Sequence, residues 1–200
     1  MGFGALRVIN DDSIAPSKGF GTHPHRDMEI ITIPLKGVLG HKDSVGNAAL
    51  IKKGEVQIMS AGTGITHSEV NASTTETTKL LQIWVMPKLI GVKPRYEQKF
   101  FSQEGRKNNT QLVVASDGRL GALSINQDAY FSLCDLDSGK SVTYKKQSEG
   151  NGVYVFVIEG EVQVGGETLR ARDGMGIHEF DSLQIIGNKD SEILLMEVPV

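Results

Sequence analysis

Short apolar segments recur along the whole chain, and none of them follows a helical pattern. No window longer than about ten residues places apolar side chains at positions i, i+3, i+4 and i+7, as an amphipathic helix requires. Short runs rich in Val, Ile and Leu predict strands instead. The clearest of these runs are Leu6–Ile9, Met28–Ile33, Val56–Met59, Leu80–Met86, Leu112–Ala115, Val153–Ile158, Leu183–Ile186 and Glu192–Val198. The pattern therefore predicts an all-β protein.

Tight turns separate these runs. The sequence contains 23 Gly and 6 Pro without a low-complexity tract, which indicates many short elements joined by turns. Many short strands at regular spacing are typical of a β-sandwich or a barrel. Gly118 and the polar stretch 102–110 indicate a boundary between two halves of the chain.

The two halves share a unit of strand, turn, strand and a Lys-Gly or Asp-Gly pair. The first copy covers residues 31–59 and the second covers residues 155–177. Self-similarity of this kind indicates a duplicated structural unit, although any two β-hairpins resemble each other to some extent. The sequence therefore predicts two similar domains, at residues 1–110 and 111–200.

The composition excludes several classes of protein. Hydrophobic residues make up 39% and charged residues 22% of the 200 positions, as in globular rather than disordered chains. No apolar run approaches the ~18 residues of a membrane span, and the N-terminus lacks the apolar region of a secretory signal. A net charge of −3 without a basic run argues against direct binding of nucleic acid. The single cysteine, Cys134, is expected in the core and fits a reducing, cytoplasmic compartment.

Two pairs of polar residues have the spacing of metal ligands. His23 and His25 form an H-x-H pair, and His67 and Glu69 form an H-x-E pair. Because residues i and i+2 of a strand point from the same face, each pair offers two ligands to one point. Both pairs lie beside glycine-rich turns. The sequence therefore predicts a metal ion held by these three imidazoles and this carboxylate, and the alternative is two chance polar pairs at the surface.

The types of ligand indicate which metal ions are suitable. Imidazole suits Zn, Cu, Fe and Ni, and a carboxylate shifts the preference toward Fe(II) or Mn. Four protein ligands leave two positions of an octahedral ion open, whereas a tetrahedral Zn site would be closed. We expect one divalent ion, Fe(II), with Zn, Ni, Cu or Mn as alternatives in an isolated sample.

Other candidate residues receive different interpretations. Glu29 is a further ligand, a carboxylate that orients an imidazole ligand, or an exposed acid, and we interpret it as the orienting carboxylate. His41 and His178 have no partner at metal spacing, so we interpret them as ordinary surface or turn residues. Trp84 lies in an apolar run and is expected to pack in the core.

These motifs resemble those of a known family. An H-x-H pair followed closely by a Glu is the first motif of the cupin superfamily, and residues 19–29 fit it. More narrowly, the chain resembles the pirin family of two-domain cupins, closest to the bacterial pirin-like quercetinases. The resemblance rests on the segments GFGTHPHRDMEIITIPLKG (19–37), MSAGTGITHSE (59–69), QIWVMP (82–87) and PRYEQKFF (94–101).

The resemblance implies a fold and a metal site. It implies two cupin-type β-sandwich (jelly-roll) domains packed face to face. It also implies one iron ion in the N-terminal domain, with ligands that map onto His23, His25, His67 and Glu69. The C-terminal domain, with His178 as its one histidine, is expected to lack a metal site. Family members carry a further N-terminal segment, about one or two strands long, so the resemblance implies that this domain lacks that segment.

The resemblance implies two kinds of function. One is a quercetin 2,3-dioxygenase, which opens the flavonol heterocycle with dioxygen and releases carbon monoxide. In that reaction Glu69 would act as the catalytic base for the substrate hydroxyl. The other is a non-enzymatic, iron-binding regulator whose partner is a transcription factor or a metabolic enzyme. We expect the enzyme, with a small aromatic substrate, and no membrane partner.

Overall fold

The protein is built almost entirely from antiparallel strands. The computed structural model describes residues 2–200, and within this range the helical segments are two short 3₁₀ turns, Gln103–Arg106 and Arg119–Gly121. None of the helical segments described is long and apolar enough to cross a bilayer. The predicted all-β class is confirmed.

The chain forms two compact units. The first unit comprises Gly2, Leu6–Phe101 and Ile125–Gln127. The second unit comprises Phe3–Ala5, Ser102–Ser124 and Asp128–Val200. Each unit is a β-sandwich made of two sheets.

Nine strands form the first unit. One sheet has the order β1-β8-β3-β6-β9, and the other has the order β2-β7-β4-β5. The strands are β1 (Leu6–Ile14), β2 (Gly19–His25), β3 (Glu29–Lys36), β4 (Val38–Asp43), β5 (Ala48–Lys52), β6 (Glu55–Ser60), β7 (Ile65–Asn71), β8 (Thr78–Val85) and β9 (Arg95–Phe100). Apolar side chains of both sheets meet between them, in clusters that include Leu39 and Ile51 at one end and Met59 and Ile65 at the other.

Ten strands form the second unit. One sheet has the order β11-β10-β12-β19-β14-β17, and the other has the order β13-β18-β15-β16. The strands are β10 (Gln111–Ala115), β11 (Leu123–Ser124), β12 (Tyr130–Leu136), β13 (Ser141–Lys145), β14 (Asn151–Glu159), β15 (Glu161–Val164), β16 (Glu167–Arg170), β17 (Gly174–Ile177), β18 (Ser182–Gly187) and β19 (Ser191–Pro199). Cys134 is fully buried in the core of this unit, as predicted.

The two units repeat the same topology. Strands β1-β8-β3-β6 of the first unit correspond in chain order and in pairing to β12-β19-β14-β17 of the second. Likewise, β2-β7-β4-β5 corresponds to β13-β18-β15-β16. The predicted duplication is therefore confirmed, and all eight apolar runs identified in the sequence overlap strands.

A buried carboxylate in the second unit accepts several hydrogen bonds. Glu197 is fully buried on β19 and accepts four hydrogen bonds. Its Oε2 accepts from the Tyr144 hydroxyl at 2.8 Å and from the Gln147 backbone amide at 2.8 Å. Its Oε1 accepts from the Ser148 backbone amide at 2.9 Å and from Asn151 Nδ2 at 3.0 Å. This carboxylate therefore fixes the segment between β13 and β14.

Replacing Glu197 with Ala is expected to loosen this segment. The change removes four hydrogen bonds, two of them buried and two partly buried, at a cost of about 2–4 kcal/mol in local stability. Hydrogen exchange of the β13, β14 and β19 amides measures that loss. The exposed Glu167 on β16 provides the matched control, because Glu167→Ala removes a carboxylate without removing buried hydrogen bonds. Equal protection in the two variants would contradict the role given to Glu197.

Candidate metal centre

Strands β2 and β7 bring three histidines to one point. His23 lies directly opposite His67 in the antiparallel pair, and a register shift in β2 between Phe20 and His23 produces this alignment. Ring nitrogens of His23, His25 and His67 all lie within 4.8 Å of one another. The Nε2 atoms of His25 and His67 are 3.0 Å apart. The three imidazoles that share metal spacing in the sequence therefore do converge.

The sequence of β7 places polar residues on the inner face of the sandwich. Ile65, His67, Glu69 and Asn71 alternate along the buried face, whereas the residues between them face outward. Val70, an apolar residue, is 46% exposed. A strand with polar side chains inside and an apolar one outside departs from ordinary strand patterning, and such departures occur at functional sites.

Two glycines allow close backbone contacts at the ends of β2 and β7. Gly62, in the turn before β7, has a φ of +46°, and a Cβ there would lie 2.0 Å from the Val92 carbonyl oxygen. A Cβ at Gly19, at the start of β2, would lie 2.0 Å from the Glu69 carbonyl oxygen. A larger residue at Gly19 would therefore push β2 away from β7, and one at Gly62 would displace the turn that leads into β7.

Glu69 brings an unpaired carboxylate oxygen to the site. Its side chain is buried, and its Oε2 accepts a hydrogen bond from Gln82 Nε2 at 2.8 Å. Its Oε1 is buried without a hydrogen-bond partner among residues 2–200. A carboxylate oxygen of Glu69 lies within 4.8 Å of a ring nitrogen of His67 and of His41. Burial raises the pKa of Glu69, although the Gln82 hydrogen bond and the nearby His23 oppose the rise.

Two imidazoles of the cluster, those of His25 and His67, are held in the neutral form. Burial lowers the pKa of His25 to about 4, and the charge of His23 contributes to the shift. Burial lowers the pKa of His67 to about 3, helped by the neighbouring histidines and opposed by Asp43. At neutral pH both rings therefore keep lone pairs that can bind a metal ion.

One of the three rings has its tautomer set by the backbone. His23 Nδ1 lies 2.8 Å from the carbonyl oxygen of Gly21. Because a carbonyl oxygen only accepts, we assign the proton to Nδ1, and this leaves Nε2 of His23 as the unprotonated nitrogen.

These residues fit a divalent metal ion. Two nitrogen ligands about 2.0–2.1 Å from one ion and at right angles to each other lie about 3 Å apart, which matches the separation of the His25 and His67 Nε2 atoms. A metal ion would also supply the missing partner of Glu69 Oε1, since an unpaired buried carboxylate oxygen is costly. The donor set of imidazole nitrogens and one carboxylate oxygen suits a transition metal.

The structure assigns His41 a different place from the one predicted. His41 is a buried residue on β4 rather than a surface or turn residue, and its side chain is fully enclosed. Its Nδ1 lies 3.5 Å from His67 Nδ1, and its Nε2 lies 3.2 Å from Asp43 Oδ2. The signal was available in the sequence, because His41 and Asp43 form an H-x-D pair at the same strand spacing as the two ligand pairs.

Glu29 also has partners other than those predicted. Its Oε2 accepts from the Ser60 hydroxyl at 2.8 Å and from the Asn126 backbone amide at 3.2 Å. The hydrogen bonds described for this carboxylate thus involve no imidazole, and the interpretation as an orienting carboxylate is wrong. Burial raises the pKa of Glu29, against the hydrogen bonds from Ser60 and Asn126.

An apolar cluster borders the histidines. Trp84 packs, as predicted, against a cluster formed by Ile30, Met59 and Ile65. Its ring also meets the His25 ring edge-on, with centroids 5.1 Å apart. The Trp84 indole donates to Gln82 Oε1 at 3.2 Å, so Gln82 links Trp84 to Glu69.

An open groove of about 540 Å³ adjoins His25. Its volume lies within the range of small-molecule sites. The lining residues are Pro24, His25, Arg26, Ser44, Gly64, Ile65 and Thr66.

The matching strands of the second unit carry apolar side chains. Val142 and Tyr144 are buried on β13, which corresponds to β2, and Leu183 and Ile185 are buried on β18, which corresponds to β7. His178, in contrast, is exposed and packs against the Phe3 ring, in agreement with its interpretation as a surface residue.

Comparison with known proteins identifies the family. The family model described as Pirin matches residues 1–85, and the model described as Quercetinase C-terminal cupin domain matches residues 112–198. The chain is 45% identical over 199 residues to quercetin 2,3-dioxygenase from Escherichia coli (strain K12), covering 100% of this chain and 84% of that protein. The chain belongs to the pirin family.

Further pirin relatives agree with this assignment. A pirin-like protein from Caulobacter vibrioides is 40% identical, with 98% of this chain and 84% of that protein covered. The crystal structure of the bacterial pirin YhhW from Escherichia coli in complex with nickel(II) has a TM-score of 0.93 and 44% identity, with 100% of this chain and 84% of that chain covered. Both units of this pirin are therefore cupin domains, and its family includes a structure with a bound metal.

Proposed function

We propose that this pirin is a metal-dependent dioxygenase of the quercetin 2,3-dioxygenase type, acting on a flavonol or a similar flat aromatic enol. The N-terminal domain, residues 1–110, holds one divalent metal ion, Fe(II), and residues 111–200 form a domain without a metal site. The observation that carries the proposal is the convergence of His23, His25 and His67, with the buried carboxylate of Glu69 within 4.8 Å of His67 and with one of its oxygens lacking a hydrogen-bond partner among residues 2–200. The relative named quercetin 2,3-dioxygenase supports the type of substrate.

Four residues hold the metal ion in this proposal, namely His23, His25, His67 and Glu69. When bound, the ion stabilises the deprotonated form of a substrate hydroxyl and mediates electron transfer between the substrate and dioxygen. Affinity for such a site follows the Irving–Williams order as well as availability. An isolated sample is therefore expected to carry Zn, Ni, Cu or Mn where these ions are more abundant than iron.

Glu69 is the catalytic base in this proposal. It accepts the proton of the flavonol 3-hydroxyl at its carboxylate. Burial, which raises the pKa of Glu69, makes the carboxylate a better proton acceptor than an exposed glutamate. Gln82 donates to Oε2 and holds the carboxylate in place, and Oε1 accepts no hydrogen bond from the described part of the chain, residues 2–200.

The apolar cluster beside the histidines suits an aromatic substrate. The partly exposed Trp84 presents apolar surface beside His25, and such surface excludes water from a flat ring. The substrates are therefore a small aromatic molecule and dioxygen.

Turnover of quercetin tests the proposal directly. The full chain, with its metal content measured and then reconstituted with Fe(II), is expected to consume quercetin and dioxygen and to release carbon monoxide at a rate proportional to protein concentration. Free Fe(II) at the same concentration provides the background rate. A rate equal to that background at full metal loading would overturn the enzyme and favour the alternative, a metal-binding regulator that acts on a protein partner.

A further inference from the structure

We propose that Asp43 and His41 act as positioning residues that set the tautomer of His67, so that its unprotonated Nε2 faces the metal centre. The inference rests on the metal centre of the proposed function and adds residues that the ligand pairs do not include. The evidence for the inference is a continuous path of side chains from Asp43 through His41 to His67. Asp43 Oδ2 lies 3.2 Å from His41 Nε2, and His41 Nδ1 lies 3.5 Å from His67 Nδ1.

The strand pairing builds this path. Strand β4 lies beside β7 on the side opposite to β2, and the register places Asp43 across from His67 and His41 across from Glu69. His67 therefore has His23 on one flank and the Asp43 and His41 pair on the other. Its two ring nitrogens serve different partners, Nε2 toward His25 and Nδ1 toward His41.

Asp43 is an acceptor at the far end of the path. Its Oδ1 accepts from the backbone amides of Val45 at 3.0 Å and Asn47 at 2.9 Å, and its Oδ2 accepts from Asn47 Nδ2 at 2.8 Å. Burial works to raise the pKa of Asp43, but the hydrogen bonds from Asn47, His41 and Val45 outweigh it and lower the pKa. Asp43 is therefore ionised at neutral pH and offers His41 an acceptor with no proton of its own.

The proton positions follow from this fixed acceptor. Because ionised Asp43 only accepts, a neutral His41 carries its proton on Nε2, and its Nδ1 is left as an acceptor. His67 then carries its proton on Nδ1 and keeps a lone pair on Nε2. The 3.5 Å separation of the two Nδ1 atoms lies at the long end of the hydrogen-bond range.

The surroundings of His41 keep it in this orientation. The side chains of His41 and Asp43 are fully buried. The Tyr96 ring packs on the imidazole of His41, with centroids 4.8 Å apart and an angle of 34° between the planes. Packing of this kind restricts rotation of the ring, as a hydrogen-bond partner of a metal ligand requires.

The tautomer of His67 can be measured in the full chain. Long-range proton–nitrogen correlation spectra distinguish protonated from unprotonated ring nitrogens. They would be recorded without metal and after loading with diamagnetic Zn²⁺. We expect the proton of His67 on Nδ1 in both samples. Finding it on Nε2 in the metal-free chain would overturn the proposal.

The variant Asp43→Asn is expected to reverse the proton positions. An asparagine keeps one oxygen for the rigid backbone donors of Val45 and Asn47, and so it turns its amide group toward His41 Nε2. His41 must then accept at Nε2 and carry its proton on Nδ1, which makes His67 protonated on Nε2. The Asp117→Asn variant is the matched control, because Asp117 accepts from the Arg119 backbone amide in an exposed turn of the second unit.

Binding of Ni²⁺ provides the second readout. Calorimetric titration is expected to give about 10–100-fold weaker affinity for Asp43→Asn, as is typical when the hydrogen-bond partner of a metal ligand is lost. His41→Phe keeps an aromatic ring against Tyr96 but removes the Nδ1 acceptor of His41, so we expect a similar loss of Ni²⁺ affinity. This variant provides the test if Asp43→Asn does not fold. Unchanged affinity together with an unchanged His67 tautomer would overturn the proposal.

Two further outcomes distinguish a failure of this proposal from a failure of the proposed metal centre. A second Ni²⁺ ion bound by His41, His67 and Glu69, which also lie within 4.8 Å of one another, would overturn the role of His41 as a hydrogen-bond partner. If the wild-type chain binds no Ni²⁺, Zn²⁺ or Fe(II), the proposed metal centre fails. In that case the tautomer of His67 in the metal-free chain still supports or overturns the action of Asp43 and His41.

Discussion

Replacing Glu69 with Gln is expected to lower flavonol turnover by about 10²–10⁴-fold, because general base catalysis contributes a factor of that size. Gln keeps the shape of the side chain and one oxygen that can bind a metal ion, but it cannot accept the substrate proton. The metal content should therefore fall much less than the activity. Metal analysis and quercetin consumption, measured on the same preparation, check both expectations.

Glu29→Gln is the matched control for this experiment. Glu29 is likewise a fully buried glutamate of the first unit with one oxygen that has no hydrogen-bond partner within residues 2–200, but its hydrogen bonds come from Ser60 and Asn126. We expect this variant to keep its turnover. If activity and metal content fall together in Glu69→Gln, then Glu69 serves as a ligand and the base lies elsewhere.

Removing two imidazoles, in the double variant His23→Ala and His67→Ala, is expected to abolish stoichiometric metal binding and turnover. These residues face each other across β2 and β7, so the double variant takes a ligand from each strand. The loss of affinity should exceed the about 10–100-fold that follows from losing only a hydrogen-bond partner of a ligand. Elemental analysis of the purified chain, and its titration with Ni²⁺, measure the effect.

His178→Ala provides the control for this double variant. His178 is an exposed histidine of the second unit that contacts Phe3, so its removal should leave the metal content unchanged. Stoichiometric metal in the double variant would show that the ion binds at another place. A different metal from the expected iron, bound with one ion per chain, would leave the site intact and change only the identity of the cofactor.

Local patterns in the sequence were sufficient to predict the elements of the fold. Apolar runs such as Val153–Ile158 lie in strands because side chains that alternate across a sheet bury one face, or both faces in a central strand. The repeat of strand and turn signals predicted two similar units, and sheet orders such as β2-β7-β4-β5 and β13-β18-β15-β16 confirm it. These features depend on residues close together in the chain, so they can be inferred without the tertiary structure.

The same alternation along strands indicates which candidate ligands share a face. Because side chains two residues apart on a strand point to the same side, His23 shares a face with His25, and His67 shares a face with Glu69. His41 and Asp43 have this spacing too, so the pair was visible in the sequence, but only the pairing of β4 with β7 shows that it lies beside His67. Glu29 shows the converse, since its nearness to His25 in sequence did not bring its carboxylate to the imidazoles.

The sequence by itself determined the all-β class, the duplicated unit and the pairs of ligands within each strand, because side-chain alternation and turn chemistry act over a few residues. Only the tertiary structure decided which pairs meet. The register shift in β2 sets His23 opposite His67, and β8 brings Gln82 to Glu69. Strand register is set by packing between residues far apart in the chain, and for that reason the neighbours of each candidate ligand could not be read from its own segment.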